Sequence, residues 1–230
     1  MRLAVIPARG GSKRIPRKNL TPIGGRPMVA HAIGLAEASD LFDAICVSTD
    51  DDEVAAVAAA AGHPPPFRRP AELADDHAPL LPVLDHACRH YEAAGQEVAS
   101  VLLLYPCTPL LTVDDLRAAH DVFVRQGGAR TVLSVVESKP VQRAMLLTGE
   151  GILEPVSPGA FQARTQDQKK AYFDAGAFAF FPRHKVSATL AGGDQGQVAY
   201  VLPRWRAADI DEPADLELVE LLYKALVANE

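Results

Sequence analysis

The chain has 230 residues, of which 48% are hydrophobic and 23% are charged, and its formal net charge is −6. This composition fits one folded α/β domain, or a domain with a small appended lobe, and excludes a disordered protein. The negative balance disfavours a general nucleic-acid binder, whose surface is usually basic. No apolar run reaches the roughly 18 residues of a membrane helix, and Pro7 interrupts the first one, so we expect neither a membrane partner nor, given the charge, a nucleic-acid partner. Cys46, Cys88 and Cys107 are scattered with no CxxC spacing, which indicates reduced thiols in a cytoplasmic protein.

Short apolar runs alternate with helical patterns up to residue 136. Continuous β-branched runs predict buried strands, and apolar residues at helical spacing predict the helices between them. In chain order these are strand 2–6, helix 27–39, strand 44–48, helices 50–62 and 79–95, strand 100–106, helix 112–128 and strand 130–136. The alternation predicts an α/β fold with a mostly parallel sheet wrapped by helices.

The pattern changes between Glu137 and Phe181, where helical spacing disappears and turn residues separate short apolar segments. We predict a small inserted antiparallel lobe over 137–181, within a single domain of residues 1–230. Its apolar run AGAFAFF is compatible with a dimer interface or with packing on its own domain. A strand at 198–203 and a terminal helix starting at Pro213 are expected to follow.

The segment PARGGSKRIPRKN, residues 7–19, directly follows the first predicted strand and carries five cations, two glycines and no acid. Ligands of open α/β folds bind at this carboxyl edge of the sheet, and glycines let backbone N–H groups approach phosphate oxygens. The segment therefore predicts a polyphosphate site, the alternative being a solvated basic surface loop. Neither the GxxxxGK[ST] loop nor the GxGxxG fingerprint is present.

Asp209 and Asp211 lie two residues apart in the segment ADIDEPADL. In an extended chain their side chains point the same way, and two close carboxylates repel each other unless a cation lies between them. Mg²⁺ suits this position if phosphate oxygens supply the remaining ligands. The residues alone leave a second interpretation open, in which one aspartate caps the helix that starts at Pro213.

The motifs IPARGGSKRIPRKN, VSTDDDEVAAVAAAAG, FRRPAELADD and DIDEPADL resemble those of the acylneuraminate cytidylyltransferase family, along nearly the whole chain. The resemblance implies the Rossmann-like sheet of nucleotide-diphospho-sugar transferases with an inserted dimerisation lobe, and a homodimer. It also implies that CTP reacts with a nine-carbon 2-keto sugar acid of the nonulosonic, sialic type to give the CMP-sugar and pyrophosphate. Mg²⁺ is the implied cofactor.

Position by position, the resemblance assigns roles to individual residues. Arg9 and Lys18 correspond to catalytic cations at the phosphates. Asp209 and Asp211 correspond to the catalytic carboxylates that hold Mg²⁺. The other nucleotide contacts that it implies are Gly10, Gly11, Ser12, Lys13, Asn19 and Arg69. The positions that it implies for the sugar are Tyr105, Arg164, Gln166 and Asp174.

Two departures from the usual family pattern favour the branch that acts on pseudaminic acid. Tyr105 lies in YPCTPL and Asp174 in FDAGAF, where members of that branch read YPTAPF and DAGQF. N-acetylneuraminic and legionaminic acid remain alternative substrates. Outside this enzyme class, a catalytically inactive nucleotide-binding protein would keep the basic segment, but the paired aspartates count against it.

Overall fold

The structure is a computed structural model that describes residues 1–76, 78–162, 164–190, 196–208 and 210–227. Its strands are β1 (Arg2–Pro7), β2 (Pro22–Ile23), β3 (Arg26–Pro27), β4 (Ala44–Ser48), β5 (Ser100–Leu104), β6 (Val132–Ser138), β7 (Met145–Leu147), β8 (Leu153–Pro155), β9 (Ala171–Pro182) and β10 (Val198–Leu202). Its α-helices are α1 (Met28–Ser39), α2 (Asp52–Ala60), α3 (Leu80–Ala93), α4 (Val113–Arg125), α5 (Arg183–Leu190) and α6 (Pro213–Val227). Single 3₁₀ turns lie at Lys18–Leu20, Ala71–Leu73, Val141–Arg143, Ala160–Gln162 and Thr165–Asp167.

The main sheet has the strand order β10-β6-β9-β5-β1-β4. β1 is parallel to both β4 and β5, and β6 is parallel to β10. β9 alone opposes its two neighbours, β5 and β6. This mixed but mostly parallel sheet, with small antiparallel hairpins beside it, confirms the predicted α/β class.

Every strand and helix predicted up to residue 136 is present, with ends that differ by a few residues. The terminal helix begins at Pro213 as predicted, and Thr112 caps α4 in a reciprocal capping box with Asp115. The small elements β2, β3 and α5, the 3₁₀ turns and the division of the region after Glu137 have no counterpart in the sequence prediction. Among the described residues, none of the helices combines the length and apolar character needed to cross a membrane.

The core lies on both faces of the sheet, and β1 shows why. Its side chains alternate in direction, so Ala4 and Ile6 join the apolar cluster of α1, α2 and α4, whereas Leu3 and Val5 join that of α3 and α5. All four are fully buried. A strand covered on both faces must be apolar throughout, as the run LAVI is.

The segment 137–181 divides into two parts. β7 and β8 form a separate antiparallel hairpin. β9 instead enters the middle of the main sheet, where Phe178 and Phe180 are almost completely buried. Of the two interpretations left open for AGAFAFF, the structure therefore shows packing within its own domain.

Candidate nucleotide and active site

The basic segment leaves β1 at the carboxyl edge of the sheet and is anchored there by its neighbours. The backbone N–H of Gly10 donates to Asp50 Oδ1 at 3.0 Å, just beyond the end of β4. Asn19 Nδ2 donates to the carbonyl oxygen of Arg9 at 2.8 Å, which ties the two ends of the segment together. These bonds fix the backbone of the segment while leaving most of its cationic side chains directed outward.

A cavity of about 500 Å³ lies beside this segment, at the carboxyl ends of β1 and β5. Its size suits a ligand of a few hundred daltons, and its place in the sheet is the usual one for ligands of α/β proteins. Its lining residues are Pro7, Arg9, Gly11, Ser12, Lys13, Arg14, Lys18, Asn19, Asp76, Leu80, Tyr105, Pro106, Cys107, Gly176 and Asp211.

Two carboxylates that line this cavity form ion pairs with the cations. Asp76 binds Arg9 Nη1 at 2.5 Å through Oδ1 and contacts Lys13 Nζ through Oδ2. The hydrogen bonds from Lys13 and Arg9 hold the pKa of the Asp76 carboxyl below its ordinary value, so it is ionised at neutral pH. On the other side, Asp211 Oδ1 lies 2.7 Å from Arg14 Nη2 and 3.4 Å from Lys18 Nζ.

Asp211 is held in place by the start of α6. Its backbone N–H and that of Glu212 donate to Asp215 Oδ2, at 2.9 and 2.7 Å. These bonds lower the pKa of Asp215 and satisfy backbone donors at the helix start. Asp215 therefore performs the capping function, and the Asp211 carboxylate faces Arg14 and Lys18 instead.

Comparison with known proteins identifies the family of the chain. The sequence model of the family described as cytidylyltransferase matches residues 3–189, which is most of the chain. The chain belongs to the cytidylyltransferase family. This finding confirms the family expected from the sequence motifs.

Relatives of this cytidylyltransferase include the pseudaminic acid cytidylyltransferase of Campylobacter jejuni, 36% identical over 223 residues and covering 96% of each chain. The CMP-N,N'-diacetyllegionaminic acid synthase of Legionella pneumophila is 35% identical over 138 residues, 60% of each chain. A solved structure of CMP:2-keto-3-deoxy-manno-octonic acid synthetase, complexed with CTP, matches with a TM-score of 0.70 at 18% identity, over 99% of this chain and 98% of that one. At that identity the match shows a shared fold only.

Most of the site residues expected from the sequence meet at the cavity. Eight of them line it: Arg9, Gly11, Ser12, Lys13, Lys18, Asn19, Tyr105 and Asp211. Gly10 does not line the cavity, and its backbone N–H bonds instead to Asp50 Oδ1. The structure thus brings predicted phosphate-contacting cations and one predicted metal ligand to the same space.

Arg69 lies next to the cavity of the cytidylyltransferase but does not line it. It is 4% exposed, and its Nε donates to Ser48 Oγ at 3.0 Å. Burial lowers the pKa of its guanidinium to about 10, with Asp50 acting in the opposite direction. With Arg68 and Asp50 it lines a separate open depression. Its predicted nucleotide contact stays a prediction.

The positions predicted for the sugar are not all close to the cavity. Arg164 pairs with Asp167, three residues ahead, at 2.8 Å and is directed to solvent, and Gln166 is also exposed. Asp174 accepts a hydrogen bond from the backbone N–H of Gly176 at 2.9 Å, and it is Gly176 that reaches the cavity wall. Their roles toward the sugar remain predictions.

Asp209 lies outside the described residues, so its place relative to Asp211 stays a prediction from sequence. Within the described part of the chain, no group of three or more His, Cys, Asp or Glu residues is arranged to hold a metal ion. A divalent ion in this site would therefore depend on Asp211, on Asp209 and on oxygen atoms of a bound ligand.

Two charged cavity residues carry no role in the sequence interpretation, Arg14 and Asp76. Arg14 is one of the cations of the basic segment, but sequence gives no reason to select it above its neighbours. Asp76 is 67 positions from Arg9 along the chain. A signal for it exists, because a segment with five cations and no acid requires counter-charge from elsewhere in the fold.

Proposed function

We propose that this cytidylyltransferase transfers CMP from CTP to a nonulosonic sugar acid, with pseudaminic acid as its preferred substrate. The similarity over nearly the full length to the Campylobacter jejuni pseudaminic acid cytidylyltransferase supports this substrate class. The two sequence features that favour the same branch, Tyr105 in YPCTPL and Asp174 in FDAGAF, agree with it.

The observation that carries the proposal is the arrangement of charge around one cavity. Cations of the basic segment and the Asp211 carboxylate, which pairs with Arg14 and Lys18, line one cavity large enough for a nucleotide. Arg9, Lys13 and Lys18 can neutralise a triphosphate, and an arginine offers a fork of donors that matches phosphate oxygens. Gly11 has no heavy atom within 4 Å of the position of an added Cβ, so a phosphate oxygen can approach its backbone closely.

Mg²⁺ is part of the proposal, with Asp211 and Asp209 as its protein ligands. The donor set fits, because carboxylate and phosphate oxygens are the ligands that Mg²⁺ prefers and Asp211 borders the cavity. When bound, the ion would supply charge stabilisation at the phosphates. Arg14 and Lys18 balance the Asp211 carboxylate in the protein without ligand.

The proposed reaction is an in-line displacement at the α-phosphorus of CTP. The anomeric hydroxyl oxygen of the sugar acid forms a bond to phosphorus, and the bond to the oxygen that bridges the α- and β-phosphates breaks. The hydroxyl proton passes to water, and pyrophosphate leaves with the electron pair of the broken bond. Positioning and charge stabilisation dominate such transfers, so the main task of the chain is to hold both substrates and to neutralise the charge that builds on pyrophosphate.

The experiment is pyrophosphate release from CTP, Mg²⁺ and a sugar acid. The wild type is expected to turn over pseudaminic acid with the highest kcat/KM in a panel that includes N-acetylneuraminic and legionaminic acid. Asp211→Asn should lower kcat/KM at least about a hundredfold, because the carboxylate that would hold Mg²⁺ at the reacting phosphates is lost. Glu212→Gln, the same change at the neighbouring exposed residue, is the matched control and should keep wild-type activity.

Three outcomes would count against the proposal. Pyrophosphate release by Asp211→Asn within tenfold of wild type would remove the role of Asp211. A higher kcat/KM for another sugar acid would overturn the substrate preference. CTP binding by calorimetry with no turnover of any sugar acid would favour the catalytically inactive nucleotide-binding protein.

We further propose that the chain forms a homodimer through the region of the β7–β8 hairpin. Successive residues of a strand point to opposite faces, yet Leu146 and Leu147 are 64% and 70% exposed, so the described part of the chain covers neither face of the hairpin. An isolated two-stranded hairpin is marginally stable in water, and exposed apolar surface of this kind is typical of interfaces. Other large apolar side chains at least 45% exposed in this region are Met145, Ile152, Leu153, Val156, Phe161, Tyr172 and Phe173.

A further inference from the structure

Asp76 pairs with two of the cations that the proposed function assigns to the triphosphate. Its carboxylate binds both Arg9 and Lys13, and all three side chains border the same cavity. A carboxylate resembles a phosphate edge in charge and in its paired acceptor oxygens, so it satisfies the same donors. The basic segment is therefore already neutralised on this side by a residue of the chain itself.

We propose that Asp76 is an internal counter-ion that competes with the phosphates of the substrate and product for Arg9 and Lys13, and so sets how tightly the site holds them. This inference rests on the proposed function, which assigns those two cations to the triphosphate. An incoming triphosphate displaces the carboxylate. When pyrophosphate leaves, the Asp76 carboxylate pairs with Arg9 and Lys13 again, so the two cations keep a counter-ion.

Displacement requires that the ion pairs of Asp76 with Arg9 and Lys13 be only moderately strong, and the exposure of these side chains to water supports this. Lys13 is 83% exposed, so its pair with Asp76 is well screened by water. Arg9 and Asp76 are about one-third and one-quarter exposed, which makes that pair the tighter one. Asp76 belongs to the connection between the Ala71–Leu73 turn and α3 and not to a helix or strand, so its side chain can leave without disrupting the sheet.

A second interpretation gives the opposite result and is therefore testable. If Asp76 instead holds Arg9 and Lys13 in the orientation that phosphate needs, its removal would weaken anion binding, because the cations would lose their fixed geometry. The two interpretations differ in the sign of the change in affinity. A binding measurement with an inorganic probe separates them without requiring turnover.

The test is isothermal titration of wild type and variants with inorganic pyrophosphate, each variant being checked for native melting behaviour. Asp76→Asn should bind pyrophosphate about three- to tenfold more tightly than wild type, because it removes the competitor of two partly exposed pairs. Asp76→Ser should show the same gain, which guards against an effect peculiar to one amide side chain. Asp76→Glu keeps the charge and should stay within about twofold of wild type. Asp121→Asn on α4 makes the same charge change away from the cavity and should equal wild type.

Equal or weaker pyrophosphate binding by both Asp76→Asn and Asp76→Ser would overturn the inference. A similar gain in pyrophosphate affinity for Asp121→Asn would also overturn it, because the change would then follow from net charge and not from the position of Asp76. In turnover assays the competition also predicts a lower KM for CTP and stronger inhibition by pyrophosphate in Asp76→Asn. If CTP were not turned over at all, the proposed function would fail, while the calorimetric comparison would still decide the role of Asp76.

Discussion

Gly10 and Gly11 are adjacent residues of the basic segment with different surroundings. A Cβ on Gly10 would lie 2.5 Å from Asp51 Oδ2, and Asp51 caps α2 through its bonds to Glu53 and Val54. A Cβ on Gly11 would meet no heavy atom within 4 Å. Fold stability should therefore require the first glycine, whereas only a bound ligand would require the second.

Alanine substitution at each glycine tests this distinction. Gly10→Ala should lower the free energy of unfolding by about 1–3 kcal/mol, because Asp51 must move from its cap position or the loop must shift. Gly11→Ala should leave the unfolding free energy unchanged within about 0.5 kcal/mol and should raise KM for CTP. Urea denaturation and steady-state kinetics supply the two measurements. An unstable Gly11→Ala, or one with wild-type KM, would contradict the assignment.

At the scale of elements, β9 has a bulge opposite Ser134, and residues of this bulge reach the cavity wall. The pairing of β6 with β9 passes from Leu133 opposite Ala179 to Val135 opposite Asp174, so extra residues of β9 bulge outward there. Ser134 Oγ donates to the carbonyl oxygen of Phe178 at 2.7 Å and accepts from its N–H at 2.9 Å. The bulge contains Gly176, at φ 58°, on the cavity wall.

Ser134→Ala should therefore affect both stability and substrate binding. The loss of the hydroxyl leaves the N–H and C=O of Phe178 without these partners in a buried place, which should lower the unfolding free energy by about 1–3 kcal/mol. The backbone of the bulge also accepts from the N–H of Tyr105, through Ala177 at 3.0 Å, so KM for the sugar acid should rise more than KM for CTP. Ser138→Ala, at the exposed end of β6, is the control. Equal effects of the two substitutions would show that the bulge has no special role.

At the scale of the whole molecule, the exposed hairpin predicts the oligomeric state. Size-exclusion chromatography with light scattering should give a mass of twice the 24.6 kDa of one chain. Leu147→Glu should shift the protein toward the monomer, because a charge would have to be buried in an apolar interface. Val124→Glu, at an apolar residue of α4 that is 57% exposed, should leave the mass unchanged. A wild-type monomer would exclude this interface.

Much of the fold follows from local sequence, because buried parallel strands such as LAVI and SVLLL are apolar along their whole length. The central position of β9 could not be predicted in the same way. Its run AGAFAFF pairs with strands about 40 to 80 residues earlier in the chain, and local pattern contains no information on that choice of partner.

The candidate site likewise has features that the sequence predicts and features that it does not. The glycines and cations of the basic segment are contiguous, so the sequence alone indicates a phosphate site there. The sequence indicates that this segment needs counter-charge, but only the three-dimensional structure shows that Asp76 supplies it, through side-chain pairs between distant segments. Arg164 shows the reverse case, in which a side chain expected at the sugar is paired locally with Asp167.

The most direct test of the central claim is a crystal structure of the protein with CTP and Mg²⁺. The account predicts that the triphosphate lies in the cavity between the basic segment and Asp211, with phosphate oxygens within hydrogen-bond distance of Arg9 and Lys18. A nucleotide bound elsewhere, for example in the depression beside Arg68, with this cavity left to solvent, would contradict it.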